Sequence, residues 1–235
     1  MKKYVLFDLD GTLTDPMEGI TRCVQYALAA AGIEEPDLQK LTPFIGPPLK
    51  ESFMEFYGFS EEEAEKAVAK YRERFRDTGI FENVIYDGIP GMLATLQEAG
   101  MTLAVASSKP EVFVNRILKH FSIDSYFDVV VGSELDGRRT DKKEVVAEAL
   151  SRLYGREKAD EGKQTSMDVK QMAEKHKYTY MVGDRKFDII GAKSEGLISV
   201  GVTYGYGSVE ELEAEQPDYL AESVERLQEI LLGSL

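Results

Sequence analysis

Tyr4-Val5-Leu6-Phe7-Asp8-Leu9-Asp10-Gly11-Thr12-Leu13-Thr14-Asp15 is an apolar run that ends abruptly in carboxylates. A run this short, rich in β-branched and aromatic side chains and stopped by Gly11, reads as a central parallel strand rather than a helix. Open α/β sheets bind ligands at the carboxyl ends of their strands. Asp8 and Asp10 stand two apart, so in a continued strand both side chains leave on one face, and Gly11 lets the backbone turn at once. Two carboxylates sharing a small volume raise one pKa or recruit a cation. A plain strand-to-turn exit uses the same residue types, so the choice between these readings rests on the rest of the chain.

Working outward, 235 residues suit one large domain or a core with a smaller insertion, and 43% hydrophobic content is enough for a packed core. A formal charge of −14 argues against nucleic acid as the main partner, because phosphate-backbone affinity comes from clustered Lys and Arg. An anionic substrate must then be met by local positive charge. The single cysteine, Cys23, allows no internal disulfide, which fits a reducing compartment. The apolar run at the start is interrupted by Asp8 and Asp10 and is no signal peptide, and no apolar stretch reaches the roughly 18 residues of a membrane span. The expectation is a cytoplasmic protein without membrane or nucleic-acid partners; oligomeric state stays open.

Residues 16–83 carry three helical patterns and no convincing strand: 17–31 closed by Gly32, 48–57 opened by Pro48, and a charged helix announced by the capping box Ser60/Glu63. From residue 84 onward, strands at 101–107, 127–131, 177–182 and 197–202 alternate with helices at 90–99, 110–121, 142–154 and 188–195. This order predicts a doubly wound α/β fold, with a parallel five-stranded sheet and right-handed helical crossovers. The core comprises 1–15 and 84–235, and 16–83 is an inserted α-helical cap domain. The polar stretch 156–167 reads as a surface loop, followed by a short helix at 166–176, and a last helix at 223–232 packs back on the core.

All strand ends of such a sheet face one edge. The first delivers Asp8 and Asp10. The second ends in Ser107-Ser108-Lys109-Pro110, offering hydroxyls and backbone N–H groups at a helix N-terminus, which is an anion site or an ordinary Ser cap. The fourth ends in Gly183-Asp184-Arg185-Lys186-Phe187-Asp188. Lys142 and Lys143 open a helix, where positive charge opposes the macrodipole.

Taken together, Asp8-x-Asp10-Gly11-Thr12, Ser107, Lys142 and Gly183-Asp184 with Asp188 resemble, in that order, the four motifs of the haloacid dehalogenase superfamily. The resemblance spans nearly the whole chain and is nearest to the phosphoglycolate phosphatase-like and 5′-nucleotidase-like branch. The third motif departs from the Lys-Pro-x-Pro of many relatives, here Asp141-Lys142-Lys143-Glu144, so the functional lysine is Lys142 or Lys143, with Lys142 preferred.

The resemblance implies a Mg²⁺-dependent phosphatase for a small phosphorylated metabolite. Asp8 is then the nucleophile that becomes an aspartyl phosphate, and Asp10 the general acid and base. Asp8, the backbone carbonyl of Asp10 and Asp184 are the metal ligands, with Asp188 behind them. Ser107, Ser108 and Lys142 hold the phosphoryl oxygens. The cap loop around Gly46 and Lys50 is a candidate substrate contact and the cap a lid over Asp8. A β-phosphoglucomutase-type phosphosugar mutase is the alternative on this scaffold, though mutases there tend to carry valine where Thr12 stands; a non-catalytic binding module is a further one. His120, His176 and Cys23 are read as bystanders.

Overall fold

The computed structural model describes residues 3–160 and 169–233. In chain order the strands are β1 (Tyr4–Phe7), β2 (Thr14–Asp15), β3 (Val84–Ile85), β4 (Thr102–Pro110), β5 (Val129–Ser133), β6 (Thr179–Gly183), β7 (Ile198–Val202) and β8 (Tyr219–Ala221). The helices are α1 (Met17–Ala30), α2 (Leu49–Tyr57), α3 (Glu61–Phe75), α4 (Ile89–Glu98), α5 (Glu111–His120), α6 (Lys142–Asp160), α7 (Val169–His176), α8 (Lys186–Ser194), α9 (Val209–Ala214) and α10 (Val224–Leu232). No described helix is long and apolar enough to cross a membrane.

The chain divides into two compact units, Met1–Leu13 with Tyr86–Leu235 and Thr14–Ile85. The first is a parallel sheet of order β5-β4-β1-β6-β7-β8. Six strands replace the five expected: β8 is only Tyr219-Leu220-Ala221, too short for an alternation signal, and it adds to β7 at the edge. Phe7 of β1 lies opposite Val105 on one side and Val182 on the other, so the first strand of the chain is central. The chain runs from β1 to β4 and β5 on one side, then returns to β6 on the other. The reversal opens a crevice beyond the carboxyl ends of β1 and β6, where sheets of this class take ligands.

Strands buried on both faces explain the unbroken apolar runs. Tyr4 and Leu6 of β1, Ala104 and Ala106 of β4, Val129 and Val131 of β5 and Met181 of β6 form one core layer with α6 and α8. Helix α6 contributes Val145, Val146, Ala149, Leu150 and Leu153, a stripe at helical spacing. Burying each of its Val and Leu side chains contributes about 1.5–3 kcal/mol.

Helix α6 continues through Asp160, so 156–160 is helix and not the loop expected from its polarity. Arg156-Glu157-Lys158-Ala159-Asp160 contains only tolerated helix residues and no Gly or Pro, and it extends a helix already nucleated. The remaining part of the expected loop, 161–167, and the start of the expected helix at 166 lie outside the described residues. The helix there runs from Val169 to His176.

The helical unit holds α1, a 3-10 stretch at Leu38–Phe44, α2 and α3. The capping box forms as read: Ser60 N–H donates to Glu63 Oε2 at 2.8 Å, and Glu63 N–H to Ser60 Oγ at 3.4 Å. Phe44 meets Phe53 edge-on at 5.0 Å. Helix α1 lies so close to the chain at residue 79 that a Cβ on Gly19 would fall 2.0 Å from the Gly79 carbonyl oxygen. The unit begins and ends two residues outside the expected 16–83, because Thr14–Asp15 and Val84–Ile85 pair antiparallel as β2 and β3.

Candidate active site

β1 stops at Phe7, and the next residues turn tightly: Leu13 N–H donates to the Leu9 carbonyl at 2.9 Å, and Gly11 adopts φ +82°. Glycine is required there twice over, since a Cβ on Gly11 would also lie 2.2 Å from Asp184 Oδ2. Asp8, Asp10, Ser107, Lys142, Asp184 and Asp188 are all buried. Six polar side chains in a parallel-sheet interior signal a built site, because burial of an unpaired charge is costly.

Oxygens of Asp8, Asp184 and Asp188 lie within 4.8 Å of one another. Lys142 Nζ stands 3.0 Å from Asp8 Oδ1 and 2.8 Å from Asp188 Oδ1, and donates to the Ala106 carbonyl at 3.1 Å. Burial alone would lower the Lys142 ammonium, but Asp188 and Asp8 overcome it and hold the group above the usual lysine range. Lys143 is exposed, which settles which of the two lysines enters the cluster. Starting α6 at Lys142 is what aims a cation here, and the carboxylates it meets compensate for its place at a helix N-terminus.

Asp188 Oδ2 accepts from Arg185 N–H at 3.0 Å, so both its oxygens are engaged. Burial pushes the Asp188 carboxyl up to about 6, against the pull of Lys142. Asp184 is pushed up to about 8 by burial and by the charges of Asp188 and Asp8. Its Oδ2 accepts from Tyr206 N–H at 2.8 Å and its Oδ1 from the Thr12 hydroxyl at 3.3 Å. Asp10 lies apart from this trio, with Oδ2 against the ammonium of Lys109, and burial raises its carboxyl although Lys109 pulls the other way. The Oγ of Ser107 accepts from Lys109 N–H at 3.3 Å, and Ser108 is half-buried.

Four carboxylates, Asp8, Asp10, Asp184 and Asp188, face two ammonium groups, Lys109 and Lys142. When all are ionised, the formal excess is two negative charges in a buried volume, the charge a divalent cation neutralises. An all-oxygen donor set suits a hard cation such as Mg²⁺ or Ca²⁺. The residues present therefore fit a divalent metal.

Gly46 and Lys50 belong to the helical unit, where Lys50 Nζ is 2.9 Å from Glu65 and 3.9 Å from Glu61. His120 is exposed, His176 half-buried, and Cys23 is buried 3.3 Å from Arg74 Nη1. Sequence reasoning overlooked Lys109, although it stands within the strand end quoted for its serines. It also overlooked the loop after β7, where Tyr204 OH donates to the Thr12 carbonyl at 3.0 Å and Tyr206 holds Asp184. The Gly201-x-x-Tyr204-Gly205-Tyr206-Gly207 pattern was the available signal: added Cβ atoms at Gly205 and Gly207 would lie 2.4 and 2.0 Å from Asp184 atoms.

Buried carboxylates that could hold a divalent cation, with two buried lysines beside them, meet at the switch point of a doubly wound sheet, where α/β proteins of this class bind their ligands. Residues 5–202 match the family of haloacid dehalogenase-like hydrolases, and the chain belongs to that family. A 5′-nucleotidase of Pseudomonas aeruginosa is 48% identical over 227 residues, covering 97% of this chain and 94% of that protein. A phosphoglycolate phosphatase of Vibrio parahaemolyticus is 29% identical over 244 residues, covering 99% and 97%. The crystal structure of a predicted phosphatase from Clostridium acetobutylicum matches with a TM-score of 0.87 and 44% identity over 99% of both chains. The chain is an enzyme of the phosphatase kind within this family, whose members generally use a divalent metal.

Proposed function

We propose that the protein is a Mg²⁺-dependent phosphomonoesterase for a small phosphorylated metabolite, of nucleoside monophosphate or phosphoglycolate type, working through an aspartyl phosphate on Asp8. The observation that carries this reading is the position of Asp8 between Lys142 and Asp184 at the sheet's switch point. An aspartate approaching a phosphate ester meets anion repulsion, which fixed positive groups must offset. Mg²⁺, held by Asp8, the Asp10 carbonyl and Asp184, would supply part of that neutralisation. Lys142, Ser107 and Ser108 hold the phosphoryl oxygens.

Asp8 attacks phosphorus as the ester P–O bond breaks, and Asp10 gives its proton to the departing oxygen. Asp10 then takes a proton from the water that attacks the aspartyl phosphate, which restores Asp8 and frees phosphate. Asp188 keeps Lys142 aimed at Asp8. Substrate selection falls to the helical unit, with Gly46 and Lys50 as candidates. The acidic composition and single Cys23 support a cytoplasmic setting without a nucleic-acid partner.

The test is phosphate release from a panel of nucleoside monophosphates, phosphoglycolate, sugar phosphates and pyrophosphate, with Mg²⁺ and with excess chelator. Release that requires Mg²⁺ is expected. A sugar phosphate isomerised with little free phosphate would point to a mutase instead, and no reaction across the panel would end the reading.

A further inference from the structure

Lys109 is an expensive residue to keep where it is. Its side chain is 7% exposed and that of Asp10 is 11% exposed, and the ammonium lies against Asp10 Oδ2. Stripping water from both charges is costly, so a buried pair of this kind contributes little to stability compared with an apolar pair of the same volume. The other oxygen, Asp10 Oδ1, is buried and has no hydrogen-bond partner among the described residues. An acceptor left so is unfavourable, because it has lost its water without gaining a partner. One carboxylate thus carries two different costs, a clamped oxygen and an open one. Lys109 itself is held at the end of β4 by its backbone, since its N–H donates to Ser107 Oγ.

We propose that Lys109 is the positioning residue for Asp10: it pins Oδ2 and so makes Oδ1 the oxygen that handles the proton. The inference rests on the reading of Asp10 as acid and base. In the first half-reaction Oδ1–H gives its proton to the leaving oxygen as the P–O bond breaks, and in the second Oδ1 takes a proton from the attacking water. Oδ2 accepts from the Lys109 ammonium throughout, as a carbonyl oxygen when Asp10 is protonated and as half of a carboxylate when it is not. Lys109 neither gains nor loses a proton. The clamp restricts the rotation about the Asp10 side chain that would otherwise let either oxygen, or neither, face the substrate.

The test compares Lys109→Met, which keeps the length of the side chain without its charge, Lys109→Arg, Asp10→Asn and the double variant Asp10→Asn/Lys109→Met, each with Mg²⁺. The two substrates are glycerol phosphate, whose alkoxide needs a proton to leave, and p-nitrophenyl phosphate, whose phenolate does not. Lys109→Met is expected to lower kcat on glycerol phosphate by about 10- to 100-fold with little change in KM, and by at least about tenfold less on p-nitrophenyl phosphate. Lys109→Arg recovers part of the loss. In the Asp10→Asn background, adding Lys109→Met costs nothing further, because residues acting through one another are non-additive.

A rise in KM at constant kcat would make Lys109 a substrate contact and overturn the proposal, as would additive losses in the double variant. If Lys109→Met unfolds at assay temperature by circular dichroism, Lys109→Gln replaces it under the same criteria. Absence of phosphate release by the unmodified protein from both esters would instead remove the hydrolase reading itself, and Lys109's role with it.

Discussion

Asp8 and Gly205 test the site from opposite directions. Asp8→Asn keeps the size of the side chain but removes the attacking carboxylate, so turnover should fall by at least about a thousandfold while the circular dichroism spectrum stays that of the unmodified protein. Activity near that of the unmodified protein would sink the nucleophile assignment. Gly205→Ala leaves every reacting group in place but puts a methyl 2.4 Å from Asp184 Cβ and 2.4 Å from the Gly11 carbonyl. Asp184 must move, and the Mg²⁺ concentration for half activity should rise about tenfold or more, the usual consequence of disturbing a ligand's support. An unchanged Mg²⁺ titration would show that the loop after β7 does not set the position of Asp184.

At the level of elements, the strand ends and α6 carry separable predictions. Asp184 at the end of β6 is pushed up to about 8, and Asp188 at the start of α8 to about 6. In a chelated sample both groups bind protons more tightly folded than unfolded. Their contribution to stability is therefore present below about pH 4 and is lost as pH rises through about 6 and then about 8. A cation competes with those protons, so the rise in Tm on adding Mg²⁺ should be larger near about pH 8.5 than near about pH 5.5. A Tm increment independent of pH would contradict the buried carboxylates as the cation's ligands. Helix α6 has two jobs along its length, aiming Lys142 at its first turn and packing Leu150 further on. Leu150→Ala should cost about 2–5 kcal/mol in urea unfolding, while the Mg²⁺ dependence of the remaining folded enzyme is unaltered.

The whole molecule is two compact units joined by two links, at Leu13–Thr14 and Ile85–Tyr86. Tyr86 N–H donates to the Leu13 carbonyl at 3.2 Å, so the links leave the core side by side. A short glycine-rich bridge from Leu13 to Tyr86 can therefore replace residues 14–85 without stretching the chain. The expected product is a folded sheet whose Tm still rises with Mg²⁺, because every member of the acidic cluster lies in the retained unit. Its preference among phosphorylated metabolites should be lost. If the shortened chain kept the full protein's substrate ranking, selection would belong to the core and not to Gly46, Lys50 and their neighbours.

The sequence by itself determined the elements whose signals are local. The apolar run into Asp8, the repeated strand–helix alternation, the Ser60/Glu63 cap and the helical stretch between the first two core strands all rest on residues near one another in the chain. Asp8, Asp10, Asp184 and Lys142 were legible because each stands where an apolar period breaks or where a charge opposes its helix. Other features were decided only by the tertiary structure, since they depend on partners remote in sequence. β8 exists because β7 offers an open edge, and the two-residue β2 and β3 exist because they meet each other across about seventy residues. Lys109 is an unremarked lysine until the fold lays its ammonium on Asp10, and Tyr206 a loop tyrosine until its N–H meets Asp184. Which lysine lies beside Asp8 was likewise decided by packing, since Lys142 is buried against it and no pattern along Lys142-Lys143 encodes that.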